Sequence, residues 1–279
     1  MTNYTLLATD IDGTLLDHRG RLPAETLAAL RCCAERGMTI ALATGRNLTV
    51  TRPIALAVAE AAGGEIFLIL QDGCLLMRFP AMQVLHYHNL PLPKAQAACR
   101  FFLAQRQPII LFDPVPDGQR FTLHPNGPLS DGLSRYIGQK QGQYTCQPAD
   151  RPLNLAPSKI VTIDGEAKIA AFYSQLGETL PGARILKTKA VHLDAWFLEI
   201  GALLASKARA LRHLAQYLGR DLSEVVAVGD EENDIGMIEA AGLGVAMGNA
   251  SESVKAVAGL VIGPNSEGGL ARFLQTRLN

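Results

Sequence analysis

Three short, unbroken apolar runs lie near the start of the chain: TLLATDI (5–11), MTIALAT (38–44) and EIFLIL (65–70). Strands buried on both faces read this way, because no polar residue alternates with the apolar ones. Between the first two runs, Pro23 opens and Gly37 closes a helical segment with Leu27, Leu30 and Ala34 on one stripe. Between the second and third, residues 46–62 carry a helical pattern in which Pro53 is expected to kink or break the helix. Strand–helix–strand–helix–strand with continuous apolar strands implies a parallel sheet covered on both faces.

The texture changes between residues 80 and 195, where prolines are frequent and four of the six histidines fall. Strand candidates there are Val84–His88, Ile109–Phe112, Arg120–His124, Lys159–Asp164 and Arg184–Lys187, with helices at Lys94–Arg106 and Glu166–Leu180. That mixture predicts an α+β segment with antiparallel strands. From about residue 196 the first texture returns. A helix over Ser206–Leu218 repeats Leu211, Leu214, Ala215 and Leu218 on one face. The strand VVAV (225–228) follows, then a helix over Asn233–Ala241, the strand GVAM (244–247), a helix from Ser251 and the strand LVI (260–262). The expected architecture is α/β: a Rossmann-like, doubly wound parallel-sheet core formed by residues 1–80 and 195–279, with an inserted α+β cap domain at 81–194. Trp196 is expected to pack at their junction.

Charge and composition narrow the function classes. Apolar residues are 48% and charged residues 19% of the 279, which describes a globular chain able to bury a core. Lysine plus arginine equals aspartate plus glutamate at 26 each, without the basic excess of nucleic-acid or anionic-membrane binders. Locally, the middle segment holds twelve basic against eight acidic residues, leaving fourteen against eighteen elsewhere. The most apolar stretch, Ile54–Leu70, is interrupted by Glu60, Gly63, Gly64 and Glu65 and would not span a bilayer. MTNYTLLATD lacks the basic start of a signal peptide. Cys32, Cys33, Cys74, Cys99 and Cys146 form no C-x-x-C pair and no zinc spacing with histidine, so they read as buried, reduced thiols. The expectation is a cytoplasmic protein without nucleic-acid or membrane partners.

Four motifs fall where strands end, the edge at which open parallel sheets bind ligands. Asp10-Ile11-Asp12-Gly13-Thr14 places two carboxylates two residues apart, so that one can act as nucleophile and the other as acid/base. A solvated acidic turn would leave the same pattern. Thr44-Gly45-Arg46 offers a hydroxyl and backbone N–H groups suited to a phosphoryl oxygen, or simply a helix cap. In Ser206-Lys207 the serine reads as an N-cap, which puts a cation in the first helical turn against the macrodipole. Such a local conflict points to a site, although solvated surface lysines are commoner. Gly229-Asp230-Glu231-Glu232-Asn233-Asp234 supplies carboxylates for a hard cation such as Mg²⁺, with Glu231 and Glu232 read as helix-start acids. Asp230 and Asp234 share a face if the helix begins early. Together these are the parts for metal-assisted phosphoryl transfer.

In this order, D-x-D-G-T, T-G-R, a lone lysine and G-D-x-x-N-D resemble the haloacid dehalogenase superfamily of phosphohydrolases. The large insertion and the trailing Met247-Gly248-Asn249-Ala250 resemble its Cof-like, type IIB, C2-capped branch. The resemblance implies Asp10 as the nucleophile that forms an aspartyl-phosphate and Asp12 as general acid/base. It implies Thr44, Gly45 and Asn233 as phosphoryl binders and Lys207 as the cation bridging nucleophile and phosphoryl. Mg²⁺ would be bound by Asp10, the Asp12 carbonyl and Asp230, with Asp234 in support. Asp10 should then be ionised and Asp12 protonated when substrate binds, which requires environments that separate their pKa values.

Asp72-Gly73 stands where many such relatives have Asn-Gly; the resemblance implies a loop facing the cap, where Asp72 would alter cap closure or substrate choice, but the residues themselves read as a hairpin turn between EIFLIL and CLLMRF. In the middle segment His86, His88, His124, Arg120 and Phe112 are candidate substrate contacts, each also readable as an ordinary strand residue. His86 and His88 alternate and can share a face, but no third metal-ligating partner is evident. The implied function is a Mg²⁺-dependent phosphatase acting on a small phosphorylated metabolite, a sugar phosphate or nucleotide-like cofactor. A phosphomutase would keep every motif. A catalytically silent binding module is disfavoured because both Asp10 and Asp12 are present, and a dinucleotide dehydrogenase because the first strand lacks G-x-G-x-x-G.

Overall fold

The computed structural model describes residues 4–114, 120–140, 142, 144–148, 150–151, 153–190 and 193–277. The chain divides into two units, Met1–Tyr87 with Ser206–Asn279, and His88–Ala205.

The first unit is built on one sheet. Its strands, numbered along the chain, are β1 (Leu6–Thr9), β2 (Thr39–Ala43), β3 (Ile66–Leu70), β4 (Leu75–Phe79), β5 (Gln83–Tyr87), β12 (Val225–Gly229), β13 (Leu243–Ala246) and β14 (Leu260–Val261). They lie in the order β14-β13-β12-β1-β2-β3-β4-β5. The six from β14 to β3 run parallel, and β1 sits between β12 and β2 with Leu6 level with both Val225 and Thr39. β4 and β5 are antiparallel additions at one edge. The apolar runs are strands because every residue of β1, β3 and β12 is buried.

Helices close both faces of this sheet. On one face Leu6, Ala8, Ala41, Ala43, Phe67 and Ile69 pack against Leu211, Leu214 and Ala215 of α6 (Lys207–Tyr217) and Met237 of α7 (Ile235–Ala240). Each such leucine contributes roughly 1.5–3 kcal/mol through burial. α1 (Ala24–Glu35) packs against α2 (Leu48–Ala61) and α9 (Gly269–Arg277), while α8 (Glu252–Val257) packs on α7. α2 continues through Pro53 without a break. No helix among the described residues is long and apolar enough to cross a membrane.

The second unit holds β6 (Ile109–Phe112), β7 (Phe121–His124), β8 (Tyr144–Cys146), β9 (Lys159–Asp164), β10 (Ala183–Ala190) and β11 (Ala195–Ala202) in the order β10-β11-β9-β6-β7-β8. All neighbours are antiparallel except β7 and β8. α3 (Leu92–Ala104) and α5 (Glu166–Thr179) cover one face, where Phe101, Phe102 and Phe172 meet edge to face. α4 (Asp131–Gly138) packs on the other through Leu133 and Ile137.

The expected boundaries at 80/81 and 194/195 differ from these units. β5 pairs with β4 and so joins the larger sheet, while β11 pairs with β9 and β10 and so joins the smaller one. Trp196 therefore packs on the α3/α5 side of the second unit, with Lys187 Nζ 4.9 Å from its ring centroid. The five cysteines are free thiols as expected, but only Cys33 and Cys74 are fully buried and Cys146 is exposed.

Candidate active site

The parallel strands deliver their carboxyl ends to one edge, and the four motifs meet there because β1 is flanked by β2 and β12. Asp10 leaves β1 with its N–H donated to Val228 O at 2.9 Å. The chain then turns through Ile11–Leu15, with Gly13 at φ +75°. A Cβ on residue 13 would stand 2.1 Å from Asp230 Oδ2, so only glycine allows the turn to approach the acid that ends β12. Thr14 Oγ1 donates to Asp230 Oδ1 at 2.8 Å. Asn249 Nδ2 donates to Gly13 O at 2.9 Å and to Asp230 Oδ2 at 3.3 Å.

Lys207 is the hub. It is 1% exposed, so the reading of a solvated surface lysine does not hold. Ser206 caps α6 by accepting from Arg209 N–H at 3.2 Å. The lysine Nζ donates to Asp10 Oδ1 and to Asp234 Oδ1, both at 2.6 Å. Two buried carboxylates outweigh the unfavourable first-turn position. The other oxygen of Asp234 accepts from the N–H groups of Asp230 (3.0 Å) and Glu231 (3.1 Å). Asp230 and Asp234 therefore meet through a turn that folds back on itself, and not through the helix face expected from their spacing. Glu231 and Asp234 form a reciprocal cap on the turn Glu232–Asp234, in keeping with the helix-start reading of Glu231.

Oxygens of Asp10, Asp230 and Asp234 lie within 4.8 Å of one another, and all three residues are buried. Burial pushes Asp10 well above the ordinary carboxylate range. Lys207 pulls it down, and Asp234 and Asp230 push it up again. Burial likewise raises Asp230, to about 7, against the hydrogen bond from Thr14 and with the repulsion of Asp234 and Glu231. Burial alone would lower Lys207, but Asp10, Asp234 and Asp72 hold it above its usual value. One buried cation among three buried carboxylates leaves a surplus of negative charge. The donors are all oxygen, as a hard divalent cation such as Mg²⁺ requires. Those residues fit the ion.

The remaining predicted residues line the neighbouring strand ends. Thr44 is buried after β2, with its N–H donated to Ile69 O at 2.8 Å and its hydroxyl accepting from Arg46 N–H at 3.1 Å. Gly45 follows it. Asn233 Nδ2 donates to Asp72 Oδ1 at 2.8 Å. The Asp12 side chain stands apart from the carboxylate cluster, 56% exposed, and is gripped by the Arg46 guanidinium through Nη2 and through Nε at 2.7 Å.

Sequence reasoning left Thr14, Arg46 and Asn249 without roles. Arg46 and Thr14 lay inside quoted motifs, and Asn249 lay in Met-Gly-Asn-Ala, but nothing in their spacing names their partners. His86 belongs to β5 and stacks on His213 with ring centroids 4.0 Å apart, while His88 follows that strand's end. His124 and Phe112 are buried in the second unit and Arg120 is exposed.

A doubly wound sheet with a buried lysine held between acids at its carboxyl edge defines a class of hydrolase rather than a dinucleotide-binding enzyme. Residues 7–274 match the haloacid dehalogenase-like hydrolase family, and the chain belongs to it as a Cof-like phosphohydrolase. It is 27% identical over 281 residues to the pyridoxal phosphate phosphatase YbhA of Escherichia coli (strain K12), covering 98% of each chain. It is 26% identical over 270 residues to the 5-amino-6-(5-phospho-D-ribitylamino)uracil phosphatase YcsE of Bacillus subtilis, covering 97% of this chain and 94% of the relative. Among solved structures, it superposes on the phosphatase BT1666 from Bacteroides thetaiotaomicron with a TM-score of 0.81 and 23% identity, covering 98% and 95% of the two chains, a likeness of fold.

Proposed function

We propose that this chain is a Mg²⁺-dependent phosphatase that hydrolyses a small phosphorylated metabolite, a sugar phosphate or nucleotide-like cofactor, through an aspartyl-phosphate on Asp10. The observation that carries the reading is the Lys207 ammonium bound to Asp10 Oδ1 at 2.6 Å inside a buried carboxylate cluster. A carboxylate attacking a phosphate ester meets like charge, and a fixed buried cation offsets that repulsion. The named substrates of the curated relatives, pyridoxal phosphate and a phosphoribitylamino-uracil, are of the proposed size and charge.

The residues divide the work. The Thr44 hydroxyl, the Gly45 N–H, Asn233 and Lys207 hold the phosphoryl oxygens. An Asp10 oxygen bonds to phosphorus as the ester P–O bond breaks, and Asp12 gives its proton to the leaving oxygen. Asp12 then takes a proton from water, whose oxygen bonds to phosphorus as the P–O bond to Asp10 breaks. Orthophosphate and free Asp10 result. Arg46 holds Asp12 in place in the resting site. Asp10 and Asp230, with the Asp12 carbonyl, would hold Mg²⁺, and Asp234 supports them from the turn. When bound, the ion neutralises charge on the phosphoryl oxygens and on the crowded acids.

The test is phosphate release from 4-nitrophenyl phosphate, with and without Mg²⁺, by the wild type and Asp10→Asn. Release that needs both Mg²⁺ and Asp10 supports the reading. Turnover that survives in Asp10→Asn overturns it.

A further inference from the structure

The Asp72-Gly73 hairpin turn is more than a connection. Gln71 and Asp72 both have positive φ, at +50° and +55°, an uncommon conformation for residues other than glycine. Backbone bonds hold them there: Gln71 N–H donates to Arg46 O at 3.0 Å, and Asp72 N–H donates to Thr44 O at 3.1 Å. Gly73 passes so close to the start of α6 that a Cβ would stand 2.2 Å from Ser206 O. The turn is therefore locked between the Thr44-Gly45-Arg46 loop and the N-terminus of the helix that carries Lys207.

This lock buries the Asp72 carboxylate, which is 8% exposed. Its Oδ1 accepts from Asn233 Nδ2 at 2.8 Å and lies 3.2 Å from where a Cβ on Gly45 would stand. Its charge also acts on Lys207. Gly45, Asn233 and Lys207 are three of the groups assigned above to the phosphoryl oxygens. An asparagine at this position would accept the same hydrogen bond with nearly the same shape. What aspartate adds is a fixed negative charge.

We propose that Asp72 sets the affinity of this site for phosphate: its charge weakens binding of the phosphoryl group and of product orthophosphate, and so speeds product release. The inference rests on the reading of the site as a phosphoryl pocket. The physical need is plain. Lys207 and a divalent cation attract orthophosphate as strongly as they attract the substrate's phosphoryl group, and a product bound that tightly limits turnover. Even when screened as in bulk water, a like charge several ångströms away offsets part of that attraction, by at least about three- to tenfold in a binding constant.

The experiment compares wild type, Asp72→Asn and Asp72→Ser, with folding checked by circular dichroism. Orthophosphate binding is measured by calorimetry at saturating Mg²⁺, and kcat and KM for 4-nitrophenyl phosphate are measured separately. Asn keeps the acceptor for Asn233 and removes the charge, whereas Ser removes the charge and shortens the contact. Tighter orthophosphate binding by about three- to tenfold in Asp72→Asn, with a parallel fall in KM, supports the proposal. Should Asp72→Asn misfold, the same tightening in Asp72→Ser carries the test. Unchanged or weaker orthophosphate binding in the folded neutral variants overturns the proposal and leaves Asp72 as a hydrogen-bond anchor for Asn233. Orthophosphate binding needs no turnover, so the two readings separate. Hydrolysis with unmoved binding removes only the role of Asp72, and tightened binding without hydrolysis removes only the phosphatase reading. A wild type that binds no orthophosphate removes both.

Discussion

Replacing Lys207 by methionine keeps the length of the side chain and removes the ammonium that Asp10 and Asp234 share. Both bonds are 2.6 Å long, and the lysine and its two partners are buried. Removing one partner of a buried ion pair typically costs about 3–5 kcal/mol, because the charge left behind has lost its solvation and its counter-charge. At roughly 2–4 °C per kcal/mol for a chain of this size class, Tm should fall by about 10 °C in EDTA at pH 8. The loss should shrink toward acid pH for a definite reason. Burial and Asp234 already hold the folded-state pKa of Asp10 above its unfolded value. A carboxyl group of that kind contributes its full stability below the unfolded pKa and loses it as pH rises through the folded value. Without Lys207 the folded value rises further, so the fraction of Asp10 that carries a proton grows toward acid pH and the penalty shrinks with it. Thermal melts of wild type and Lys207→Met at pH 5 and pH 8, each in EDTA and in Mg²⁺, test this. A penalty below about 1 kcal/mol at pH 8, or one equal at both pH values, would refute the argument that Lys207 is there to balance buried charge.

Asp230, held at about 7 without metal, predicts that Mg²⁺ binding strengthens as pH rises from 6 to 8 and releases a proton at the lower end. Calorimetry in two buffers of different ionisation enthalpy reads that proton directly. The same shift predicts that the metal-free protein loses stability as pH climbs from about 4 to 7, by up to about 4 kcal/mol, since the unfolded chain ionises Asp230 near 4; melts in EDTA across that range check it. Gly13→Ala places a methyl group 2.1 Å from Asp230 Oδ2 at φ +75°, and the Mg²⁺-induced rise in Tm should vanish in that variant.

The fold was legible where burial is uniform. The runs of β1, β2, β3 and β12 are almost wholly apolar, so their type and their parallel sense follow from pattern and connection. The unit boundaries were misplaced because the signal there is a change of texture, whereas membership is decided by pairing. Gln83–Tyr87 looks like a short, half-polar cap strand, but its backbone hydrogen bonds go to β4. Pro53 does not break α2, for a different reason. Helix-breaking is a local tendency, and α2 is held in place along its length by buried Leu48, Thr51, Ala55, Val58 and Ala59.

The site was legible as residue types at strand ends, and less so as contacts. Lys207 stood out because it breaks a local rule, and the structure supplies the compensation: two acids reached from 197 and 27 residues away. Thr14 and Asn249 break no rule. They are ordinary polar residues whose importance lies in meeting Asp230, which the turn at Gly13 brings within reach of Thr14. At Asp72 the hairpin reading holds but is incomplete. An Asp-Gly pair between two apolar runs is the commonest sort of hairpin turn, and a hairpin turn is what it makes. Turn chemistry explains why the aspartate tolerates its backbone conformation but says nothing about which way the carboxylate faces. Here β2 and the start of α6 flank the turn, so the side chain points at Gly45 and Asn233. A residue can satisfy a local rule and still carry a charge into a site, and where an uncharged residue would satisfy the same rule, the charge itself requires the explanation.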